Sequence, residues 1–283
     1  MKRVPLILFW ILTATIVCSA QTTFYYPHVA NGVLGGTVWK TTIFLTNPSS
    51  SGSASGTIVF TKDNATAGLA GSAFTIGFTD QNGAPAGSGN TITFSVPAGA
   101  TRKYVSAGTG DYAGGFATVA ATTGIVNGTA IFSEFDLAGR LIAEAGVPAV
   151  PAVPRQAIFV DTVGGYNIGV AYANPGAAAA TLTLTLLNSS AQTVLSTPAT
   201  LGPGNHKAAF VGELFPGAPQ LAGTMKIESS STLAAIALRF DPTFAIFTTL
   251  PPVTLASLIS PAIEWLQKGS VARLLGAFRL RVA

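Results

Sequence analysis

The chain has 283 residues, 48% hydrophobic and 9% charged, which excludes a disordered chain because its apolar surface can offset the entropy of ordering. The formal charge of +4 gathers at the ends: Lys2 and Arg3 at one, and Glu264, Lys268, Arg273, Arg279 and Arg281 at the other, flank an interior of nine basic and ten acidic residues. With no basic face or stripe, the sequence offers no footprint for nucleic-acid phosphates.

Lys2-Arg3, the apolar run from Val4 to Val17 and the small residues closing at Ala20 follow the plan of a secretory signal peptide. Cleavage is expected before Gln21, with an extracytoplasmic location after it. The apolar run is shorter than the roughly 20 residues of a spanning helix, and no later segment reads as transmembrane. Cys18, the single cysteine, follows Val17 rather than the small residue that precedes a lipid-modified cysteine. Its removal with the signal leaves neither disulfides nor Cys-ligated zinc, so packing must supply the stability.

From Phe24 onward, short runs of Thr, Val, Ile and Phe alternate with clusters of Gly, Pro and Asn, the pattern of strands and turns. Trp39 opens a run in which Ile43 and Leu45 share a face. Asn47-Pro48 ends it, since proline cannot donate to a ladder. Thr57-Ile58-Val59-Phe60 reads as the next strand. The stretch from Lys62 to Asn90, rich in Gly, Ala, Ser and Asn, predicts an extended hairpin or flap. Val96-Pro97-Ala98-Gly99 leads into a strand at Tyr104-Val105. Ala130 to Asp136 forms another that ends in Phe-Asp, and Val147-Pro148-Ala149-Val150 closes the unit.

The same markers then return in the same order. Tyr166 opens a run that ends at Asn174-Pro175, and Thr181 to Leu186 alternates as a strand. Gly202-Pro203-Gly204-Asn205 leads to Phe210-Val211, Ala235 to Asp241 again ends in Phe-Asp, and Leu250-Pro251-Pro252-Val253 closes. The reading is therefore all-β: two tandem antiparallel Ig-like β-sandwich domains, residues 24–152 and 153–254. A signal peptide at 1–20 precedes them and a short C-terminal tail at 255–283 follows. The tail changes character, with a helix start at Ser260-Pro261 and strand-like alternation from Phe278 to Val282. No amphipathic helix separates the strands, which disfavours a parallel α/β sheet.

Residues that could carry chemistry are few. His28 and His206 belong to no ligand pair in sequence and read as structural histidines. No nucleophile elbow supports a Ser-His-acid triad. Glu134 and Asp136 share a face of one strand, as a pair of catalytic carboxylates would. In the second unit Arg239 replaces Glu134 while Asp241 repeats Asp136, which points to a turn-forming aspartate instead. Asp80 and Asn82, before Gly83, resemble the opening of a calcium loop but equally form a hairpin turn. The Gly108 to Gly114 loop lacks dinucleotide-fingerprint spacing. Tyr25, Tyr26 and Tyr112 are candidate carbohydrate contacts, with Tyr25-Tyr26 expected at the surface. Trp39 and Tyr166, at equivalent places, suggest a shared packing role.

The order of Trp39, Asn47-Pro48, Val96-Pro97-Ala98-Gly99, Phe135-Asp136 and Val147-Pro148 resembles repeated β-sandwich modules of exported bacterial proteins that have no assigned activity. That resemblance covers residues 24–254 and implies no functional residues. The expectation is an exported, non-enzymatic structural or interaction protein that needs no cofactor and meets a protein or polysaccharide partner. A carbohydrate-binding accessory protein is the alternative, and a hydrolase would need a cleft of convergent polar groups.

Overall fold

A computed structural model describes residues 22–256. The expected signal peptide and the tail from residue 257 lie outside them. Eleven strands come first: β1 (Thr23–Leu34), β2 (Thr37–Thr46), β3 (Ala54–Lys62), β4 (Ser72–Ala73), β5 (Ile76–Thr79), β6 (Pro85–Gly89), β7 (Thr91–Val96), β8 (Thr101–Ser106), β9 (Ala113–Thr123), β10 (Asn127–Asp136) and β11 (Leu141–Pro148). There follow β12 (Val153–Asp161), β13 (Asn167–Ala173), β14 (Ala180–Asn188), β15 (Thr193–Leu201), β16 (His206–Phe210), the single-turn helix α1 (Val211–Leu214), β17 (Ala222–Phe240), β18 (Phe247–Leu250) and β19 (Val253–Thr254). The fold is all-β, in two hydrogen-bonded antiparallel networks of eleven and eight strands.

Alternation explains the inner faces. Ile58 and Phe60 of β3 are buried between less buried Thr57, Val59 and Thr61. In β14, Leu182, Leu184 and Leu186 are buried while Thr181 and Thr183 face outward. The pairings β1·β9, β3·β9 and β3·β7 recur as β12·β17, β14·β17 and β14·β15. Likewise β2·β8, β2·β10 and β10·β11 recur as β13·β16, β13·β17 and β17·β18. β17 thus takes the places of both β9 and β10. Its Gly223–Ser229 half pairs with β14, its Ala234–Phe240 half with β13, and the polar Ser229 to Thr232 stretch between them is where the strand changes layer.

The two Asn-Pro markers do the same physical job. Asn47 Nδ2 donates to the carbonyls of Val96 and Gly52, both at 3.0 Å, and its Oδ1 accepts from Ser49 N–H. Asn174 Nδ2 donates to Leu201 at 3.1 Å and Ala178 at 2.8 Å, and its Oδ1 accepts from Gly176 N–H. Each buried amide closes a strand end where proline cannot donate.

The halves differ in what covers them. β13 and the second half of β17 have both faces buried. Val170, Tyr172, Ala235 and Ala237 face the core of the second network, whereas Ala171, Ile236 and Leu238 join the core cluster of the first. That is why Leu233 to Leu238 is an unbroken apolar run, as in strands buried on both faces.

The Lys62–Asn90 stretch lies across this seam. Its β5·β6 hairpin extends the sheet beyond β8, and its first loop docks on the β15–β16 turn. There the fully buried Asn205 donates from Nδ2 to the carbonyls of Ala67 and Leu69, both at 3.0 Å, and accepts from Asn64 N–H at 2.8 Å. Gly202 N–H donates to Ala67 O at 2.7 Å and Gly71 N–H to Pro203 O at 3.1 Å. A Cβ at Gly202 would stand 2.0 Å from Leu69 O, and one at Gly71 2.0 Å from Gly204 O, so this approach requires glycine on both sides. Asn205→Ala strands these buried partners and should lower stability by about 2–3 kcal/mol in urea titration. A loss below about 0.5 kcal/mol, the scale of an ordinary surface change, would show that the loop docks without it.

Candidate functional site

The site grows from an irregularity in β1. The β1·β9 register breaks between Tyr26 and Val29, leaving Pro27 and His28 in a bulge. A bulge re-aims the side chain it carries, and proline is tolerated there because it has no N–H to pair. The His28 ring packs edge-on against Phe132, centroids 4.8 Å apart, and meets His206 of β16, Nδ1 to Nε2 at 3.3 Å. Both histidines are buried. His206 Nδ1 has no hydrogen-bond partner among the described residues and faces Asp63 Oδ2 at 3.8 Å. That carboxylate favours the His206 proton on Nδ1, so Nε2 accepts from the Nδ1–H of His28.

His28 also lines a cleft of about 450 Å³ between the two networks. On one wall Trp39 stacks on Phe132 at 4.7 Å and meets Tyr112 edge-on at 6.1 Å. On the other, Phe210, Phe240 and Phe244 form a triangle with centroids 5.4 to 5.9 Å apart. Phe247 joins the walls, 5.2 Å from Phe240 and 5.8 Å from Phe132. Small residues at Gly169, Ala171 and Ala208 leave the space between them open. Phe244 is 48% exposed and has φ of 59°, a left-handed conformation rare for a bulky side chain. The preceding Asp241 turn holds it there, Oδ1 accepting from Ile246 N–H at 2.8 Å. Trp39 Nε1 is buried with no acceptor among the described residues.

Carboxylates supply the charge of the cleft. Glu134, the cross-strand partner of Trp39, has no hydrogen-bond or ion-pair partner among the described residues. Glu213 of α1 accepts from Phe210 N–H through Oε2 at 2.7 Å. Nearby cations turn away: Arg239 bonds Asp161 at 2.8 Å with its guanidinium over the Tyr166 ring, and Lys40 lies over Phe135. Burial, and secondarily the Asp63 carboxylate, pushes the Tyr112 hydroxyl up to about 12.

Other sequence candidates fall elsewhere. Tyr26 is fully buried, its hydroxyl pushed far up by burial, and has no surface for a sugar; this corrects the expectation of a Tyr25-Tyr26 surface pair. Tyr25 is half-buried on β1, and only Tyr112 reaches the cleft. Asp80 Oδ1 accepts from Asn82 N–H at 2.8 Å and Ala84 N–H at 3.0 Å, the hairpin turn that the sequence offered beside the calcium reading. Among the described residues no group of three His, Cys, Asp or Glu is placed to hold a metal. Asp136 and Asp241 both serve turns. The Arg140 N–H above all holds Asp136 below the usual carboxylate range, and the Thr243 hydroxyl does so for Asp241. Trp39 and Tyr166 do different work, one lining the cleft and the other under Arg239. The histidine pair escaped sequence reading because its members lie 178 positions apart. The one local signal was Pro27 inside a strand.

No protein-family model and no curated protein sequence matches this chain. Among solved structures, a Pleurotus ostreatus lectin in its apo form aligns over 84% of this chain and 81% of its own, with 11% identity and a TM-score of 0.24. A lectin from Pleurotus ostreatus in complex with GalNAc covers 84% and 85%, with 13% identity and a TM-score of 0.17. A β-glucuronidase from glycoside hydrolase family 2 covers 86% of this chain but 31% of its own, with 8% identity and a TM-score of 0.21. At such TM-scores neither a shared fold nor a shared ligand follows.

The buried imidazole makes stability depend on pH. Burial first, then the neighbouring His206, lowers the His28 pKa from 6.5 to about 3, with Asp63 opposing. Between these values the unfolded chain takes up a proton that the folded chain refuses. Its contribution is therefore fully present above pH 6.5 and shrinks as pH falls, by at most about 1.4 kcal/mol per pH unit. His28→Phe should flatten the unfolding free energy between pH 6.5 and 4. An unchanged slope in urea titrations across this range would assign the effect to another group.

Proposed function

We propose that this chain is a non-enzymatic, extracytoplasmic binding protein of two tandem Ig-like sandwiches that holds a small apolar ligand in the cleft at their seam. The single observation behind it is a cleft of about 450 Å³ walled by aromatic rings, one of which, Phe244, sits half-exposed in a left-handed conformation. This volume lies in the range of small-molecule sites, which are concave and mostly apolar. A structural role alone would put glycine or asparagine at position 244, where phenylalanine costs about 1–2 kcal/mol. Backbone strain of this kind collects at functional sites.

Neither imidazole is hydrogen-bonded to a hydroxyl or thiol among the described residues, and the histidines engage each other, which supports a role in binding over hydrolysis. Carbohydrate binding would use the same rings, but sugars also need several planar polar partners. The groups on offer are Glu134, Glu213, His28 and the Tyr112 hydroxyl, and apolar contacts dominate. The Lys2-Arg3 start, the apolar run and the small residues up to Ala20 support export. The mature chain should begin at Gln21 by mass spectrometry of the extracytoplasmic fraction, and an intact Met1 there would refute export by this route.

The neutral dye Nile red should bind the native protein at about one site, with a blue-shifted emission. Ala208→Trp, at an exposed position of the cleft, should abolish that signal without lowering the unfolding midpoint. Phe244→Asn should weaken binding while leaving stability within about 1 kcal/mol, because asparagine tolerates the left-handed conformation. Dye binding indifferent to both substitutions would move the site away from the seam.

A further inference from the structure

We infer that the ligand of this cleft is a small organic cation, an ammonium group carrying apolar substituents, an inference that rests on the cleft being the binding site. Aromatic rings line both sides of one space, Trp39 and Phe132 on one wall and Phe240 and Phe210 on the other. Ring faces carry negative quadrupole potential, which attracts cations most strongly where water is excluded. An alkylated ammonium suits this wall, because its charge is spread over carbon groups that lose little hydration on entering.

Charge points the same way. The lining residues with a formal charge are Glu134 and Glu213, and no lysine or arginine lines the cleft. Glu134 lacks a cationic partner among the described residues and stands half-buried beside Trp39 on the cleft wall. Glu213 keeps Oε1 free while Oε2 caps the Phe210 N–H. The residues that could neutralise them are committed elsewhere: Arg239 faces the opposite side of β17 from Leu238 and Phe240 and pairs with Asp161. The one imidazole on the lining, His28, is buried against His206 and adds no positive charge. A neutral apolar ligand would leave Glu134 uncompensated and an anion would be repelled, whereas an organic cation meets both the rings and the carboxylates.

Choline and 3,3-dimethylbutan-1-ol have the same shape and differ in the positive charge, so isothermal titration of the full chain with each isolates it. Choline should bind about tenfold more tightly, the effect of a desolvated cation–π and carboxylate contact. Glu134→Gln should erase most of that advantage, bringing the choline affinity down toward that of the alcohol. Ala208→Trp should remove binding of choline, the alcohol and Nile red. Equal or tighter binding of the alcohol, or a choline affinity indifferent to Glu134→Gln, overturns the cation assignment. Failure of both probes while Nile red still binds does so too and leaves the cleft reading standing. Loss of Nile red binding as well sinks the cleft itself.

Discussion

The stretch of β17 from Leu233 to Leu238 is covered on both faces, and the rest of the molecule is arranged around that burial. One set of its side chains completes the second core, and the alternate set, Ile236 and Leu238, completes the first. A strand so placed cannot be exposed on either side without losing about 25 cal/mol for each square ångström of apolar surface returned to water. The two networks are therefore held against each other by core packing. The small residues of β13 and β16 then determine where that packing stops and the cleft begins.

Polar contacts fix the register of this seam. Asn205 works as a peg whose amide is saturated by backbone groups of the Asn64–Leu69 loop, and the glycines on each side permit the close approach. Its neighbour His206 reaches His28 across the same boundary. Both belong to the β15–β16 turn region, so one short segment carries much of the polar specificity between the networks. A polar group buried in this way costs free energy unless its partners are placed correctly, which selects one docking geometry among the many that apolar packing alone would allow.

Much of the fold was legible in the chain. Asn47-Pro48 and Asn174-Pro175 end strands, and their amides close equivalent loops, because proline removes a donor wherever it falls. Phe-Asp closes β10 and β17 because an aspartate beside a tight turn accepts its N–H groups. The Lys62–Asn90 excess shows as an insertion in sequence, yet its docking partner does not. Tyr26 is buried because it shares the inward face of β1 with Phe24, with Tyr25 between them pointing the other way, a face that the short run at the strand's start does not reveal by itself.

Period-two alternation, prolines, glycines and turn-forming side chains act within a few residues of themselves, so the sequence by itself determined the all-β class and the ends of strands such as β2, β10 and β13. The run from Leu233 to Leu238, buried throughout, has the unbroken apolar character of a strand covered on both faces, but such a run does not say against what. Only the tertiary structure decided that His28 meets His206, that Trp39 and Phe240 wall one cleft, and that Glu134 faces it without a cation. Those relations join residues a hundred or more positions apart. Their energies depend on which surfaces are removed from water together, and no local pattern in the chain encodes that.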